Sequence, residues 1–426
     1  MLSYFLVQNF KSILDLKLDL RFAEGKAPNH YEELQILPFI GHNHRHVPVL
    51  GVYGANASGK TNILQAMHVF KQIMFRGAEN RFYPNKLNPK YDSTTFEIGF
   101  YEKNTLYLYE LTYNRDGISH EVLYKKDKGN IIFEITNKDC MFEKIATDEY
   151  TSQRLGEIYR VECINDKQQQ RIAFLTRIAR GYAGLNKELV SVWTRLLEGV
   201  EVYSENNVPL PYVLERMAGC DDPEKIVQAF DRITTILKKF DIDINRLTWD
   251  RKFQPIEDPT KPLDIKDNAI TFFKPTNNML IKDNIRSYHT DVNGNEVVFN
   301  FNEESEGTIT LASLLGLCLN ALDKGIALCV DELDKSLHSR LLIEIVRMFK
   351  DKRYNQKNAQ LIFTAHNTDV LDDDLMRISE VGVVNKTEKT GSTMKRISDF
   401  DGKRNVNNFR KQYLDGLFSG VPYPYI

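Results

Sequence analysis

The chain has 426 residues, a length that predicts two or three domains, or one large domain with insertions. Its 56 basic and 58 acidic residues give a formal net charge of −2, and 42% of all residues are hydrophobic. These values are typical of a folded globular protein. They exclude a chain that is disordered throughout, and they argue against a protein whose main task is to coat nucleic acid.

Three features favour a cytoplasmic protein. The amino-terminal sequence MLSYFLVQNFK has no basic segment before an apolar stretch, so it predicts a strand rather than a secretory signal. The most apolar run, Ile309 to Leu322, contains polar residues and is shorter than the ~20 residues of a membrane span, which favours a buried helix. The five cysteines are widely spaced without a CxxC pair, so neither a disulfide framework nor a zinc site is indicated.

The pattern of apolar residues divides the chain into three parts. Residues 1–142 alternate apolar and polar positions, as in the run from Leu14 to Leu20, and predict antiparallel strands. Residues 143–248 show helical periods and predict a helical insertion, whereas residues 249–426 end in alternating helices and short apolar strands. Together these patterns predict an α/β fold with an N-terminal antiparallel β subdomain and a helical insertion.

A glycine-rich loop is the sharpest motif. The residues from Gly54 to Thr61 match G-x-x-x-x-G-K-[ST] in full, after the apolar run Val47 to Tyr53 and before a helical pattern. In such a loop the backbone N–H groups point at phosphates, Lys60 reaches the outer phosphates, and Thr61 holds Mg²⁺. The alternative is a chance match in a surface loop. The predicted nucleotide-binding residues are Gly54, Asn56, Ser58, Gly59, Lys60, Thr61 and Asn62.

A second motif is an acid pair that follows the apolar strand Ile326 to Val330. Adjacent residues of a strand point to opposite sides, so Asp331 and Glu332 cannot perform the same task. We expect Asp331 to contact the metal and Glu332 to polarise a water molecule against the γ-phosphate. The simpler alternative is that the two acids cap a following helix.

His366 follows the next predicted strand, Gln360 to Ala365, after one intervening helix at about Ser339 to Phe349. A strand–helix–strand crossover brings the carboxyl ends of both strands to the same sheet edge. There an imidazole can donate a hydrogen bond to the γ-phosphate, which predicts a catalytic His366, although a structural histidine is the simpler alternative.

Ser305 and Gly307 lie at the predicted start of the apolar helix. The simplest interpretation makes Ser305 a helix cap. The alternative is that the serine and glycine at this helix terminus form a second phosphate-binding surface, offered to the ATP of another molecule.

These motifs together resemble an ABC-type ATPase head, with Walker A at Gly54 to Thr61, Walker B at Ile326 to Glu332, and a switch histidine at His366. The segments NFKSI, ESEGT, DELDKSLHS, AQLIFTAHNTDVLD and YLDGLFSGVP are similar, more narrowly, to OLD-like ATPases of bacterial anti-phage and abortive-infection systems. The sequence carries no clear Q-loop glutamine, and Met376 to Ser379 stands where relatives often have an Arg-Arg-Asp run.

The resemblance implies a homodimer or higher homo-oligomer in which two heads associate head to tail around ATP and Mg²⁺. Ser305 and Gly307, as the signature, would then act in trans, and Asp334 would be a D-loop residue. Only about 60 residues follow His366, too few for the TOPRIM nuclease of some relatives, so the resemblance implies a separately encoded effector.

The leading hypothesis is therefore a Mg²⁺-dependent ATPase that acts as a nucleotide-driven switch in phage defence. One alternative is a DNA-maintenance ATPase of the RecF or SMC kind, with DNA as its partner; another is a scaffold that uses ATP to stabilise an effector complex. The residues His42, His44 and His46 favour a solvated loop or a strand edge over a metal site. Arg171, Arg177 and Arg180 favour a solvated helix face over a phosphate-contacting one.

Overall fold

The structure is a computed structural model. It describes residues 1–22, 45–87, 89, 91–126, 128–136, 140–142, 149–161, 171–203, 209–218, 223–255, 270–274, 279–389, 391–400 and 408–421. The chain folds into two compact units. The first comprises Met1–Ser204, Ala321–Leu333 and Val346–Ile426, and the second comprises Glu205–Asn320 and Asp334–Ile345. The predicted division at residues 142 and 248 stays a prediction.

The strands in chain order are β1 (Leu2–Phe10), β2 (Ile13–Asp19), β3 (Val49–Gly54), β4 (Thr94–Glu102), β5 (Thr105–Tyr113), β6 (Ile118–Lys125), β7 (Ile131–Thr136), β8 (Cys140–Phe142), β9 (Val200–Tyr203), β10 (Arg246–Pro255), β11 (Ile270–Lys274), β12 (Met279–Thr290), β13 (Glu296–Asn300), β14 (Ala327–Val330), β15 (Gln360–Thr364), β16 (Val381–Thr387) and β17 (Gly391–Arg396). The helices are α1 (Lys60–Arg76), α2 (Glu149–Tyr159), α3 (Phe174–Gly181), α4 (Lys187–Glu198), α5 (Leu210–Ala218), α6 (Pro223–Lys239), α7 (Glu306–Lys324), α8 (Ser339–Lys350) and α9 (Phe409–Leu414).

The described strands of the first unit form one mixed sheet, in the order β8-β7-β6-β5-β4-β1-β2-β17-β16-β3-β15-β14-β9. Strands β4 to β8 make the predicted antiparallel meander, while β16, β3, β15, β14 and β9 run parallel. The expectation of an α/β fold is therefore confirmed. The short strands β3, β14 and β15 are buried along their whole length, as strands covered on both faces should be.

Helix α1 packs its apolar face into the core of this unit. Ile63, Leu64, Phe70 and Met74 recur at helical spacing and are all at most 2% exposed. The Phe70 ring packs edge-on against Phe96 with centroids 5.9 Å apart. Burial of each such side chain stabilises the fold by about 1.5–3 kcal/mol, so the core fixes where the helix starts, directly after the glycine loop.

The stretch predicted as a helical insertion contains α2 to α6, and it also contains a strand that the helical pattern did not predict. Strand β9 pairs in parallel with β14 at the end of the main sheet. The backbone N–H of Asp331 continues this ladder by donating to the Tyr203 carbonyl at 3.0 Å. A four-residue strand is too short to show a period of its own, which is why the sequence pattern missed it.

The second unit contains an antiparallel sheet in the order β10-β12-β11, with β13 also paired to β12. A buried carboxylate links two of its strands. Asp283 is 1% exposed and accepts hydrogen bonds from Arg251 Nε at 2.7 Å and from Trp249 Nε1 at 2.8 Å. In the same unit Gly316 of α7 lies close to Val213, because an added Cβ would be only 2.4 Å from a Val213 methyl carbon and would not fit.

Two surface expectations need correction. The three arginines do not share one solvated face: Arg171 pairs with Glu79, Arg177 is half-buried, and only Arg180 is exposed. His46 is fully buried, contacts Ser3 Oγ at 3.0 Å through Nε2 and forms an antiparallel β-bridge with Arg21, so its position agrees with a strand edge and not with a solvated loop. His42 and His44 lie outside the described residues.

Among the residues that the structure describes, none of the helices combines the length and the apolar character needed to cross a bilayer.

Candidate functional site

The predicted catalytic residues of the first unit lie at one edge of the main sheet. Strand β15 pairs in parallel with β3 on one side and with β14 on the other, with Thr364 opposite Val52 and Phe363 opposite Val330. The glycine loop, Asp331 and His366 each follow the carboxyl end of one of these three strands. Neighbouring strands are about 4.8 Å apart, so this register brings the motifs to the same crevice.

The glycine loop ends at the N-terminus of helix α1. Gly59 precedes α1 with a φ of 105°, a left-handed conformation that glycine adopts without strain, and no side chain caps the helix. The first turn of α1 contains no acidic residue. An added Cβ at Gly59 would lie 2.7 Å from Ser12 Oγ, so the loop could not close with a larger residue. The terminus thus offers N–H groups and positive potential to an anion.

Lys60 lies across this loop. Its side chain is only 7% exposed, and its Nζ donates to the carbonyl oxygens of Gly54 at 2.7 Å and Ala55 at 3.1 Å. The ammonium therefore sits over the mouth of the loop, where a phosphate can compete with these carbonyls. Thr61 and Asn62 are half-buried in the first turn of α1, and Asn56 is exposed at the tip of the loop.

Ser58 provides a test of whether the loop fits a phosphate group. Its hydroxyl oxygen is buried and, within the described ranges, has no hydrogen-bond partner. A buried hydroxyl without a partner costs stability, so its occurrence in this loop calls for a ligand oxygen. A nucleotide phosphate supplies such an acceptor, and the loop therefore fits a nucleotide.

A network of side-chain hydrogen bonds supports the glycine loop and the first turn of α1. Ser392 Oγ donates to the Ser58 carbonyl at 2.6 Å and contacts Ser12 Oγ at 2.7 Å. Ser12 Oγ also accepts from Asn62 Nδ2 at 2.7 Å. Sequence reasoning missed these roles, although Ser12 belongs to the NFKSI segment that carried the family resemblance.

The two residues of the acid pair differ in burial and in backbone conformation. Asp331 is 4% exposed, while Glu332 is half-buried and has a φ of 48°. A left-handed conformation is uncommon outside glycine and stores strain that the surroundings must hold. The surroundings do so through Thr364, whose Oγ1 accepts from the Glu332 N–H at 2.7 Å and donates to Asp331 Oδ1 at 2.5 Å.

Thr61 and Asp331 fit the requirements of Mg²⁺. A hydroxyl and a carboxylate are the hard oxygen ligands that Mg²⁺ prefers, and nucleotide phosphates and water complete its coordination in such sites. In the part of the chain that the structure describes, no cluster of three or more His, Cys, Asp or Glu side chains is arranged to hold a metal ion.

His366 is exposed, two residues after the end of β15. The Ala365 N–H donates to the Val52 carbonyl at 3.3 Å, so the sheet ladder continues up to the residue before this histidine. The imidazole accordingly starts from a fixed backbone at the edge that carries the glycine loop.

The remaining predicted residues, Ser305, Gly307 and Asp334, belong to the second unit. Ser305 Oγ accepts from the Thr308 N–H at 3.1 Å and caps α7. Gly307 lies close to the backbone of Ser336, since an added Cβ would be 3.2 Å from that carbonyl oxygen. The contacts of Ser305 therefore agree with the simpler interpretation that it caps the helix.

Residues 49–140 and 176–373 match the family model described as "AAA domain, putative AbiEii toxin, Type IV TA system". No curated protein matches the sequence significantly.

Two solved structures are similar. One is the SMC head domain from Thermotoga maritima, with 14% identity, coverage of 93% of this chain and 98% of that chain, and a TM-score of 0.40. The other is the recombination mediator protein RecF with ATP, with 14% identity, coverage of 87% and 93%, and a TM-score of 0.36. The family match covers more than half of the sequence and includes the glycine loop, the acid pair and His366, so the chain belongs to this AAA family and is an ATPase.

Proposed function

We propose that this ATPase is a Mg²⁺-dependent nucleotide switch of a bacterial anti-phage, abortive-infection system, and that it controls a separately encoded effector in the cytoplasm. The observation that carries the proposal is the convergence of the glycine loop, the acid pair and His366 on one sheet edge. The family description, which names a putative AbiEii toxin and a type IV toxin–antitoxin system, supports the defence role.

Each residue of this edge has a proposed task. Lys60, the Ser58 hydroxyl and the N–H groups before α1 bind the phosphates, and Thr61 and Asp331 bind Mg²⁺. Glu332 polarises the attacking water molecule. His366 donates a hydrogen bond to the γ-phosphate and so distinguishes a triphosphate from a diphosphate.

We further propose an ABC-type arrangement in which two copies associate through their heads. Ser305 and Gly307 of one copy would contact the ATP bound to the other copy, with Asp334 nearby. Closure on ATP and reopening after hydrolysis would then change the contact with the effector, which is the switching step. In this arrangement ATP hydrolysis is coupled to the association of the two heads, so a measurement of dimer formation also reports on hydrolysis.

The nucleotide part of the proposal is tested with two variants. Lys60→Ala should lose nucleotide binding, because its ammonium is the charged group over the loop. Glu332→Gln should still bind ATP but accumulate dimers, which light scattering detects. Equal ATP hydrolysis by the wild type and Glu332→Gln would remove Glu332 from its proposed task.

The defence role needs a cellular test. The gene would be expressed with its neighbouring open reading frame, and survival would be compared after phage challenge with and without Glu332→Gln. Protection that requires both genes and an intact Glu332 supports the proposal. ATP turnover that rises with DNA in a salt-dependent way, without protection, would favour the DNA-maintenance alternative.

A further inference from the structure

The segment YLDGLFSGVP has no assigned task in the proposed mechanism. All but its last residue lie within residues 408–421, here called the C-terminal brace. Its Phe409, Tyr413 and Phe418 side chains are at most 6% exposed. Such burial shows that the brace is part of the packed first unit rather than a loose surface strand.

One end of the brace contacts the glycine loop. Gly420 has a φ of 75°, and an added Cβ would lie 3.5 Å from both the Gly54 Cα and the Val384 carbonyl oxygen, and 2.5 Å from a Val383 methyl carbon. The Tyr413 hydroxyl donates to the Gly420 carbonyl at 3.4 Å. Burial raises the pKa of Tyr413 to about 12, although a hydrogen bond from the Gly54 backbone opposes this rise.

The Tyr413 ring also packs against the strand that leads into the loop. Its centroid is 6.1 Å from that of Tyr53, in an edge-to-face arrangement. Tyr53 immediately precedes Gly54 in the chain. The brace therefore contacts the first glycine of the phosphate loop and the residue before it.

The other end of the brace holds the loop that follows His366. Arg410 forms an ion pair with Asp369, three residues after the histidine. The backbone N–H groups of Asn408 and Phe409 donate to the carboxylate of Asp373, the latter at 3.2 Å. These contacts connect the histidine loop to the brace by one side-chain ion pair and two charge-assisted hydrogen bonds.

We propose that the C-terminal brace is a positioning element for nucleotide binding, which ties the loop after His366 to Gly54 of the phosphate loop. The inference rests on the proposed nucleotide site, since it assigns the brace to that site. A brace that is docked holds both loops in the geometry that binds phosphates. Nucleotide binding must in turn stabilise the docked brace, because coupling between two sites is reciprocal.

A pair of glycine variants tests the first contact. Gly420→Ala should weaken ADP affinity about tenfold, because the new methyl group would lie 2.5 Å from a Val383 methyl carbon and would displace Gly420 from its contact with Gly54. Gly294→Ala is the matched control: Gly294 also has a positive φ, of 85°, but an added Cβ has no atom within 4 Å. Both variants place a side chain at a positive φ, so the comparison separates this backbone strain from the crowding at Gly420.

A pair of charge reversals tests the second contact. Arg410→Glu places a carboxylate beside Asp369 and should weaken ADP affinity several-fold. Lys411→Glu makes the same charge change on the next residue, which is exposed, and should leave the affinity unchanged. Affinity is measured by fluorescence titration with a labelled ADP, at a temperature where thermal melts show every variant to be folded.

A third measurement does not depend on any variant of the brace. Hydrogen exchange of residues 408–421 in the wild type should slow when ADP is added, and should not respond to ADP in Lys60→Ala. If Lys60→Ala binds ADP normally, the proposed nucleotide site is wrong. Two outcomes would overturn the inference about the brace alone. In the first, Lys60→Ala loses ADP binding while Gly420→Ala and Arg410→Glu keep wild-type affinity. In the second, hydrogen exchange of the brace in the wild type does not change when ADP is added.

Discussion

Thr364 Oγ1 donates a hydrogen bond to Asp331 Oδ1 across two neighbouring parallel strands, at 2.5 Å. The same oxygen accepts the N–H of Glu332, and the Thr364 carbonyl accepts that of Leu333 at 2.9 Å. One threonine of β15 thereby orients the carboxylate proposed to bind Mg²⁺ and holds the left-handed backbone of the proposed general base. The strand that leads to His366 is thus bonded directly to the acid pair.

Thr364→Val tests this arrangement. Valine keeps the shape of the fully buried side chain but removes the hydroxyl, so the Asp331 carboxylate loses a donor and the Glu332 N–H loses its acceptor. We expect ATP turnover to fall at least tenfold with nucleotide affinity nearly unchanged. Thr364→Ser retains the hydroxyl and should keep most of the activity. Equal turnover in Thr364→Val and the wild type would show that this hydroxyl does not position the acids.

A buried ion pair joins the end of α8 to the turn before β16. Lys350 and Glu380 are each 1% exposed, and Glu380 also accepts the Arg377 N–H at 2.7 Å. Burial lowers the pKa of Lys350, and the charge of Glu380 opposes this decrease. Because an isolated charge in the protein interior is strongly unfavourable, removing one partner destabilises the fold by more than the intact pair stabilises it.

Glu380→Gln should therefore lower the free energy of unfolding by about 3–5 kcal/mol. The double variant Lys350→Met with Glu380→Gln removes both charges and should recover a large part of this loss. Urea unfolding of the two single variants and the double variant gives the coupling energy. Additive losses in the double variant would show that the two side chains do not act as a pair.

Much of the main sheet follows from local sequence. The continuous apolar runs of β3, β14 and β15 predict buried parallel strands, and the glycine loop and acid pair fall at their carboxyl ends as expected. Strand β9 was not predictable because its four residues follow a helix and gain their partner from a strand more than a hundred residues later.

The supporting residues of the site were harder to predict for a related reason. Thr364 belongs to the run QLIFT, where a β-branched residue suits any buried strand, and nothing local indicates that its hydroxyl reaches Asp331. Ser12 and Ser392 are 380 positions apart and meet only because β17 lies beside β2. Such contacts depend on sheet order, which the local pattern does not contain.

Stability should depend on pH through Asp19 at the end of β2. Burial alone would raise the pKa of Asp19, but hydrogen bonds from the Arg21 side chain and backbone and the charge of Arg396 lower it. The Arg21–Asp19 ion pair has an N–O distance of 2.5 Å. A lowered folded-state pKa stabilises the protein above the unfolded-state pKa, and this contribution is lost as the pH falls through the folded-state value.

Asp19→Asn should lower the free energy of unfolding by about 2 kcal/mol at pH 7. The difference from the wild type should begin to shrink below pH about 4, where the carboxyl group of the unfolded chain takes up a proton. It should be smallest only below the lowered folded-state pKa, where the group is protonated in both states. Asp15→Asn is the control, since Asp15 is exposed on the same strand. Denaturant unfolding at several pH values measures this, and a deficit that does not change with pH would contradict the linkage to Asp19.

The proposed trans action of Ser305 makes a prediction about mixed assemblies. A Lys60→Ala subunit has no working phosphate loop but keeps its signature, whereas a Ser305→Arg subunit has the opposite defect. Each variant alone should be inactive. Co-expressed with two different tags and purified through both, the mixed assembly contains one complete site, formed by the loop of one subunit and the signature of the other. Its turnover per assembly should therefore reach about half that of the wild type.

As a control, assemblies with Lys60→Ala and Ser305→Arg on the same subunit and a wild-type partner should have no complete trans site and stay inactive. Activity in that control, or none in the complementing mixture, would show that Ser305 does not act on the nucleotide of a partner.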